Sequence, residues 1–165
     1  MEDLNTLNDL FESELQDVYN AEQQVMQAMP KMIDAASDTK LRDKLQRHMM
    51  ETEKQIRRLD DIFDMLDMEP EAEVCEGMAG IIRDGEKVIQ AKGDPMVKDA
   101  ALIAGAQKVE HYEITSYGTL RSLAQTLGMD DIALKLERTL KEEFKTDELL
   151  TGVAERGVNK KAPRE

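Results

Sequence analysis

The chain has 165 residues, with 35 acidic against 22 basic side chains and a formal charge of −13. This length suits one domain with a sizeable core, and the charge argues against nucleic-acid and anionic-membrane surfaces, because both partners are polyanions. Eleven methionines, four prolines and no tryptophan favour a helical bundle packed with adaptable Met and Leu side chains over a sandwich or barrel.

A first helix is predicted from about residue 3 to 36, with the apolar stripe Phe11, Leu15, Val18, Glu22, Val25, Met29, Met32. Pro30 is an irregularity expected to kink it or displace one backbone bond. After the polar Ser37-Asp38-Thr39, Asp38 is a fair N-cap for a second helix that runs to about residue 67. Its stripe reads Leu41, Leu45, His48, Thr52, Ile56, Leu59, Phe63, Leu66, and Met68-Glu69-Pro70 closes it. A shorter helical piece over roughly 72–92 carries Val74, Met78, Ile81, Ile82, Val88 and Ile89 and breaks at Gly93-Asp94-Pro95. Asp94 caps and Pro95 starts the next long helix, which ends at Gly128, with stripe Ile103, Ala106, Glu110, Glu113, Tyr117, Leu120, Ala124, Leu127. Asp130 is expected to cap a last helix to about residue 156, with stripe Ile132, Leu136, Leu140, Glu143, Asp147, Leu150, Ala154. The domain therefore covers residues 1–156, and the polar, basic stretch 157–165 is expected to be a flexible C-terminal tail.

Short turns join the first two and the last two long helices, so each pair is an antiparallel hairpin. Between the pairs lie roughly 28 residues, enough to travel the length of a bundle at about 1.5 Å per helical residue. The fold expected is all-α: a ferritin-like four-helix bundle of two hairpins with a long crossover carrying a short fifth helix.

Each stripe is interrupted by a metal-ligand side chain. An isolated carboxylate on a core face costs several kcal/mol or takes up a proton, so many acids in one core need a cation. Counted from the turns, Glu113 stands opposite Glu143, Glu110 opposite Asp147 and Glu22 opposite His48, and the two sets share one level when the hairpins pack together. Glu110/Glu113, Glu143/Asp147 and His48/Glu51 are helical neighbours one turn apart. Such doublets can hold two cations, and oxygen-rich ligation with one imidazole suits iron or manganese. The candidate ligands are Glu22, His48, Glu51, Glu110, Glu113, Glu143 and Asp147. Glu51 lies off the strict stripe. Glu142 and His111 neighbour ligands but should point away, Asp17 and Glu14 only flank the first stripe, and Tyr117 is placed to hydrogen-bond a ligand or simply to be buried.

Cys75 is the only cysteine, so no internal disulfide forms and a reducing cytosol is the natural setting; the thiol reads as a small packing residue. The N-terminal Met-Glu-Asp-Leu has no basic or apolar signal-like region, and no run reaches about 18 apolar residues, so secretion and membrane insertion are not expected.

The string Lys108-Val-Glu-His-Tyr-Glu-Ile-Thr-Ser-Tyr-Gly-Thr-Leu120, with Asp17-Val-Tyr-Asn-Ala-Glu22 and His48-Met-Met-Glu-Thr52, resembles the YciF family of bacterial stress-response proteins. Glu142-Glu-Phe-Lys-Thr-Asp147 and Val158-Asn-Lys-Lys161 extend the resemblance over nearly the whole chain. It implies a ferritin-like bundle, a homodimer, a cytoplasmic setting and a dinuclear iron site. It supports the same seven ligands and raises the standing of Asp17 and Tyr19. The wider di-iron pattern has Glu-x-x-His on two helices. Here the second helix carries His48-x-x-Glu51 in reverse order and the last has no histidine, so metal number and identity do not transfer directly. Two readings follow. Iron (or manganese) reacts with dioxygen or peroxide, or the metal is a structural clamp in a non-enzymatic acidic helical dimer.

Overall fold

The computed structural model describes residues 4–70 and 73–165. The helix starts expected at residues 3 and 72 lie outside them. The described residues form five α-helices of more than one turn each: α1 (Leu7–Ala35), α2 (Thr39–Met65), α3 (Glu76–Gln90), α4 (Pro95–Thr126) and α5 (Asp130–Val153). The all-α expectation is met, with no strand among the described residues.

Capping chemistry sets the ends. Thr6 caps α1 with a reciprocal pair in which Asp9 N–H donates to the Thr6 hydroxyl and Thr6 N–H donates to the Asp9 carboxylate. This stops the helix at Leu7, later than the apolar pattern alone suggests. Asp38 caps α2 by accepting from Lys40 and Leu41 N–H, and Asp94 does the same for α4 with Pro95 in the first turn. Asp130 proves to be the first residue of α5 and not its cap; Met129 holds that position without a side-chain bond. Asp130 and Asp131 instead place negative charge in the first turn, where the helix dipole favours it. Gly128, at φ 75°, turns the chain out of α4 while Met129 N–H reaches back to Ala124 C=O at 2.8 Å. Asp67, at φ 53°, does the same job after α2, with Met68 N–H bonded to Phe63 C=O. Pro30 is exposed on the outer side of α1, and the helix runs through it to Ala35.

α1 packs on α2 and α4 on α5, and the hairpins meet through α1 against α4 and α2 against α5. Across α2 and α5, Glu51 meets Thr146, Arg58 meets Thr139 and Asp61 meets Lys135, so rising numbers on one helix face falling numbers on the other. α1 and α4 are antiparallel by the same argument, because Tyr117 reaches Glu22 and Asp99 reaches Ser37. α4 must therefore begin at the end where α1 finishes, and the crossover climbs the full bundle. α3 makes that climb along the groove between α1 and α4. Two apolar clusters result, one on each side of a polar belt. Phe11, Leu15, Leu59, Phe63, Leu120 and Leu136 belong to one; Val25, Met29, Leu41, Leu45, Ile103 and Leu150 belong to the other.

The stretch expected to be a flexible tail is partly built in. Ala154–Val158 forms a π-helical turn and Asn159–Lys161 a last α turn. The wider turn carries an extra residue per cycle and swings Val158 inward, where it is fully buried. Lys161 Nζ then lies 2.6 Å from the Asp38 carboxylate that caps α2.

Candidate metal centre

The polar belt is made by the residues that break the apolar stripes. Glu22, Glu110, Glu113 and Glu143 have no solvent exposure, and His48 has 3%. His48, Glu110, Glu113 and Glu143 each offer one ligand atom such that all four atoms lie within 4.8 Å of one another. His48 Nε2 is 3.2 Å from Glu110 Oε1. Glu110 lies against Glu143, and Glu22 against Glu113, carboxyl facing carboxyl. The belt draws on α1, α2, α4 and α5, but its close pairs are His48 with Glu110, Glu110 with Glu143 and Glu22 with Glu113, not the Glu22–His48 pair counted from the first turn.

These groups are poorly provided for by the protein. Both oxygens of Glu110 and of Glu113, both ring nitrogens of His48, Glu22 Oε2 and Glu143 Oε2 have no hydrogen-bond partner. Among the described residues no lysine or arginine forms an ion pair with any of the four glutamates. Buried acceptors without donors are costly, and here they converge on one volume. Two exceptions orient the set: Tyr117 donates to Glu22 Oε1 at 2.5 Å, and buried Gln55 donates to Glu143 Oε1.

The electrostatics follow. Burial raises the Glu22 carboxyl to about 8, with the Glu143 charge adding to it. Burial likewise lifts Glu143 to about 7 and drives Glu110 and Glu113 well above the carboxylate range, with neighbouring carboxylates reinforcing both shifts. Burial pushes His48 the other way, to about 4, leaving the imidazole neutral and able to donate a lone pair. Four acids that resist ionisation beside a neutral imidazole suit a cation: it would replace the protons and meet the unpartnered oxygens. The donor set, carboxylate oxygens with one nitrogen and no thiolate, fits iron or manganese in chemical type. Glu22, His48, Glu110, Glu113 and Glu143 would hold it.

The other two sequence candidates sit at the rim. Asp147 is partly exposed, accepts from Gln107 at 3.0 Å and lies 3.4 Å from His111 Nε2, though it is near enough for its charge to raise Glu110. Glu51 is also partly exposed and accepts from Thr146 at 3.5 Å. Thr146, adjacent to Asp147, takes the buried position on α5. On α2, Gln55 is buried where Ile56 was expected. Each side chain lies about 100° around the helix from its neighbour, so a stripe drawn one residue off still holds its register for a turn. Gln55 is the site residue that the sequence reading missed; the signal was available, because the steps four, three, four, three from Leu41 land on it.

Glu142, next to Glu143, faces outward and pairs with Arg58 at 3.0 Å and Arg138 at 3.3 Å. Asp17 accepts from the Tyr112 hydroxyl at 2.6 Å beside the Cys75 thiol, and Tyr19 donates to Asp60 at 2.7 Å. Neither Asp17 nor Tyr19 joins the ligand group.

Two antiparallel hairpins, a crossover climbing the bundle, and carboxylates with a histidine converging at its centre define a ferritin-like helical bundle with a possible metal site. Residues 6–163 match the family described as a domain of unknown function, DUF892, and the chain belongs to that family. It is 43% identical over 160 residues to protein YciF of Escherichia coli K12, covering 96% of each chain. The crystal structure of that E. coli stress protein superposes with a TM-score of 0.92 over 96% of this chain and all of the other. The YcfI protein of Rhodopseudomonas palustris is 42% identical, with a TM-score of 0.89 over 93% of this chain and 98% of its own. A Xanthomonas campestris protein at 21% identity and TM-score 0.73 shares the fold.

Proposed function

We propose that this protein is a di-metal carboxylate protein, with two iron ions (or manganese) held between the four helices, acting in a bacterial stress response. The observation that carries the reading is the set of buried, unpartnered carboxylate oxygens around His48. Four buried glutamates balance the charge of two divalent cations, which no hydrogen-bond network here does. Two ferrous ions would supply the two electrons that, with two protons, reduce dioxygen to hydrogen peroxide or hydrogen peroxide to two waters.

The chain's own groups prepare that chemistry. Tyr117 fixes Glu22 from α4, Gln55 fixes Glu143 from α2, and the apolar clusters above and below keep bulk water out. Glu51 and Asp147, at the rim, would be the further carboxylates available to complete the ligand set.

The stress role rests on the likeness to the E. coli stress protein. The lone thiol fits a cytoplasmic setting, and no helix among the described residues is long and apolar enough to cross a membrane. A homodimer is part of the same reading, as the resemblance to the YciF family implies.

Elemental analysis of chelator-free protein tests the central claim. About two metal ions per chain, falling to about one or fewer in Glu113→Ala, are expected if Glu22, His48, Glu110, Glu113 and Glu143 hold them. Metal-free protein that takes up none from ferrous or manganous salts would overturn it.

A further inference from the structure

An apolar cavity of about 40 Å³ lies between α1, α3 and α4 and ends on His48 and Glu110. Val25 and Met29 line it from α1, Ile82 and Ile89 from α3, and Val109 from α4. At its outer end Lys31 of α1 and Glu86 of α3 form a 3.0 Å ion pair, both well exposed. His48 and Glu110, at its inner end, are almost fully buried and have unpartnered atoms.

The helices forming this cavity contain a departure from good helix design. Gly85 lies inside α3 and Gly105 inside α4, and both line the cavity. A glycine within a helix costs about 1 kcal/mol relative to alanine. Neither has the positive φ that would require it, and a Cβ built at either position meets no atom within 4 Å. Backbone conformation and close packing therefore both fail to explain these glycines. Both are half-buried on the cavity wall, where their missing side chains leave open space, whereas Gly118, equally open in α4, does not line it.

From these features we infer that the cavity is the entry route for a small apolar oxidant of the dioxygen class, delivered to the His48–Glu110 side of the metal centre. The inference rests on the di-metal reading and sharpens it by choosing between its two oxidants. An apolar-lined space stays dry and admits apolar molecules of a few atoms. Hydrogen peroxide would have to shed hydrogen bonds on entry and finds almost no polar wall to replace them. The Lys31–Glu86 pair is a weak obstacle, because exposed ion pairs are worth about 0–1 kcal/mol.

Xenon is the probe for the space. In the full-length protein, saturable xenon binding should shift the amide signals of Ile82, Gly85 and Gly105 in nuclear magnetic resonance spectra. Gly105→Val, and the milder Gly85→Ala, should each weaken xenon binding, the former at least about tenfold, while leaving metal content unchanged and melting temperature equal or higher. Ferrous-loaded Gly105→Val should then be oxidised by dissolved dioxygen about tenfold more slowly than the parent protein, with the peroxide rate retained. Absent xenon binding, binding away from these residues, or an unchanged dioxygen rate in the filled variant overturns the inference while leaving the metal centre intact. Xenon binding in a protein that takes up no metal overturns the di-metal reading, and the delivery role with it.

Discussion

The Tyr117 hydroxyl of α4 donates to Glu22 Oε1 of α1 across 2.5 Å, both side chains being buried at the level where the two hairpins meet. One bond therefore orients a candidate ligand and joins the hairpins. Tyr117→Phe keeps the ring and deletes the donor. Above pH 8, where Glu22 is ionised, metal-free protein should lose about 1–3 kcal/mol by urea unfolding, because a buried acceptor is stranded. Metal affinity should fall about 10–100-fold in a competitive chelator titration, the usual cost of removing a partner that orients a ligand.

Removing charge should have the opposite effect on stability. Glu113→Gln replaces a buried carboxylate among carboxylates with an amide whose N–H groups can donate to them. At pH 8 the metal-free variant should be more stable than the parent by on the order of 1–2 kcal/mol, raising the melting temperature by a few degrees. The gain should come with a smaller rise in melting temperature when metal is added. A variant that is both more stable and metal-blind separates a binding site from a structural one.

The pH dependence of the metal-free protein has a definite sign. Glu22 near 8 and Glu143 near 7, with Glu110 and Glu113 also raised, hold protons in the native state that the unfolded chain releases near 4.5. Stability therefore declines as pH rises from the unfolded carboxyl value through the folded ones. His48 opposes this: with its folded value near 4 against 6.5, it contributes stability that grows as pH climbs through that interval. The net decline should thus be steepest between about pH 6.5 and 8, where His48 no longer compensates. Melting curves with chelator at pH 5, 6.5 and 8 measure it. Added metal should flatten the profile, because cations displace the same protons.

Asp67 offers a test of the local backbone. At φ 53° it occupies the left-handed conformation that ends α2. Asp67→Gly should be neutral to stabilising by about 0.5 kcal/mol, the relief of strain being offset by a more flexible unfolded chain. Gly128→Ala, in the same conformation after α4, should cost about 1–2 kcal/mol. Chemical denaturation of the pair reads both.

The C-terminal turn should matter more than its composition suggests. Truncation after Arg156 removes buried Val158 and the Lys161 partner of the Asp38 cap. A loss of about 2 kcal/mol is expected, nearly all from the valine, because an exposed lysine contributes little. Lys161→Ala alone should shift the unfolding midpoint only slightly.

Most of the architecture was legible because it depends on period and punctuation. Long apolar stripes, polar turns at Ser37–Thr39 and Gly128, and one long gap between hairpins determine who can pack on whom. The belt was legible because Glu22, His48, Glu110, Glu113 and Glu143 stand where apolar side chains belong, at heights dictated by the turns. Less was visible at the edges of stripes. One residue's step of about 100° around the helix separates a buried position from a rim one, so Thr146 and Asp147, or Gln55 and Ile56, could be exchanged without disturbing the pattern for a turn. The tail was misread for a different reason. A π turn changes the residue count per turn, and nothing in Arg156-Gly157-Val158 announces that change. The α3 groove and its two open glycines depend on three helices at once, and no single stretch of chain carries that information.

Glu22 and His48 come from the first hairpin; Glu110, Glu113 and Glu143 come from the second. Repulsion of Glu22 by the other three acids therefore acts across the seam between two halves that are covalently linked only through the crossover, while Glu110, Glu113 and Glu143 repel one another within the second hairpin. That seam is the line along which the metal-free molecule should breathe first. Amides of α1 and α4 flanking the belt should exchange hydrogen sooner than those flanking the turns within each hairpin. A cation seated there would work as a rivet, holding the two hairpins together so that they unfold as one body.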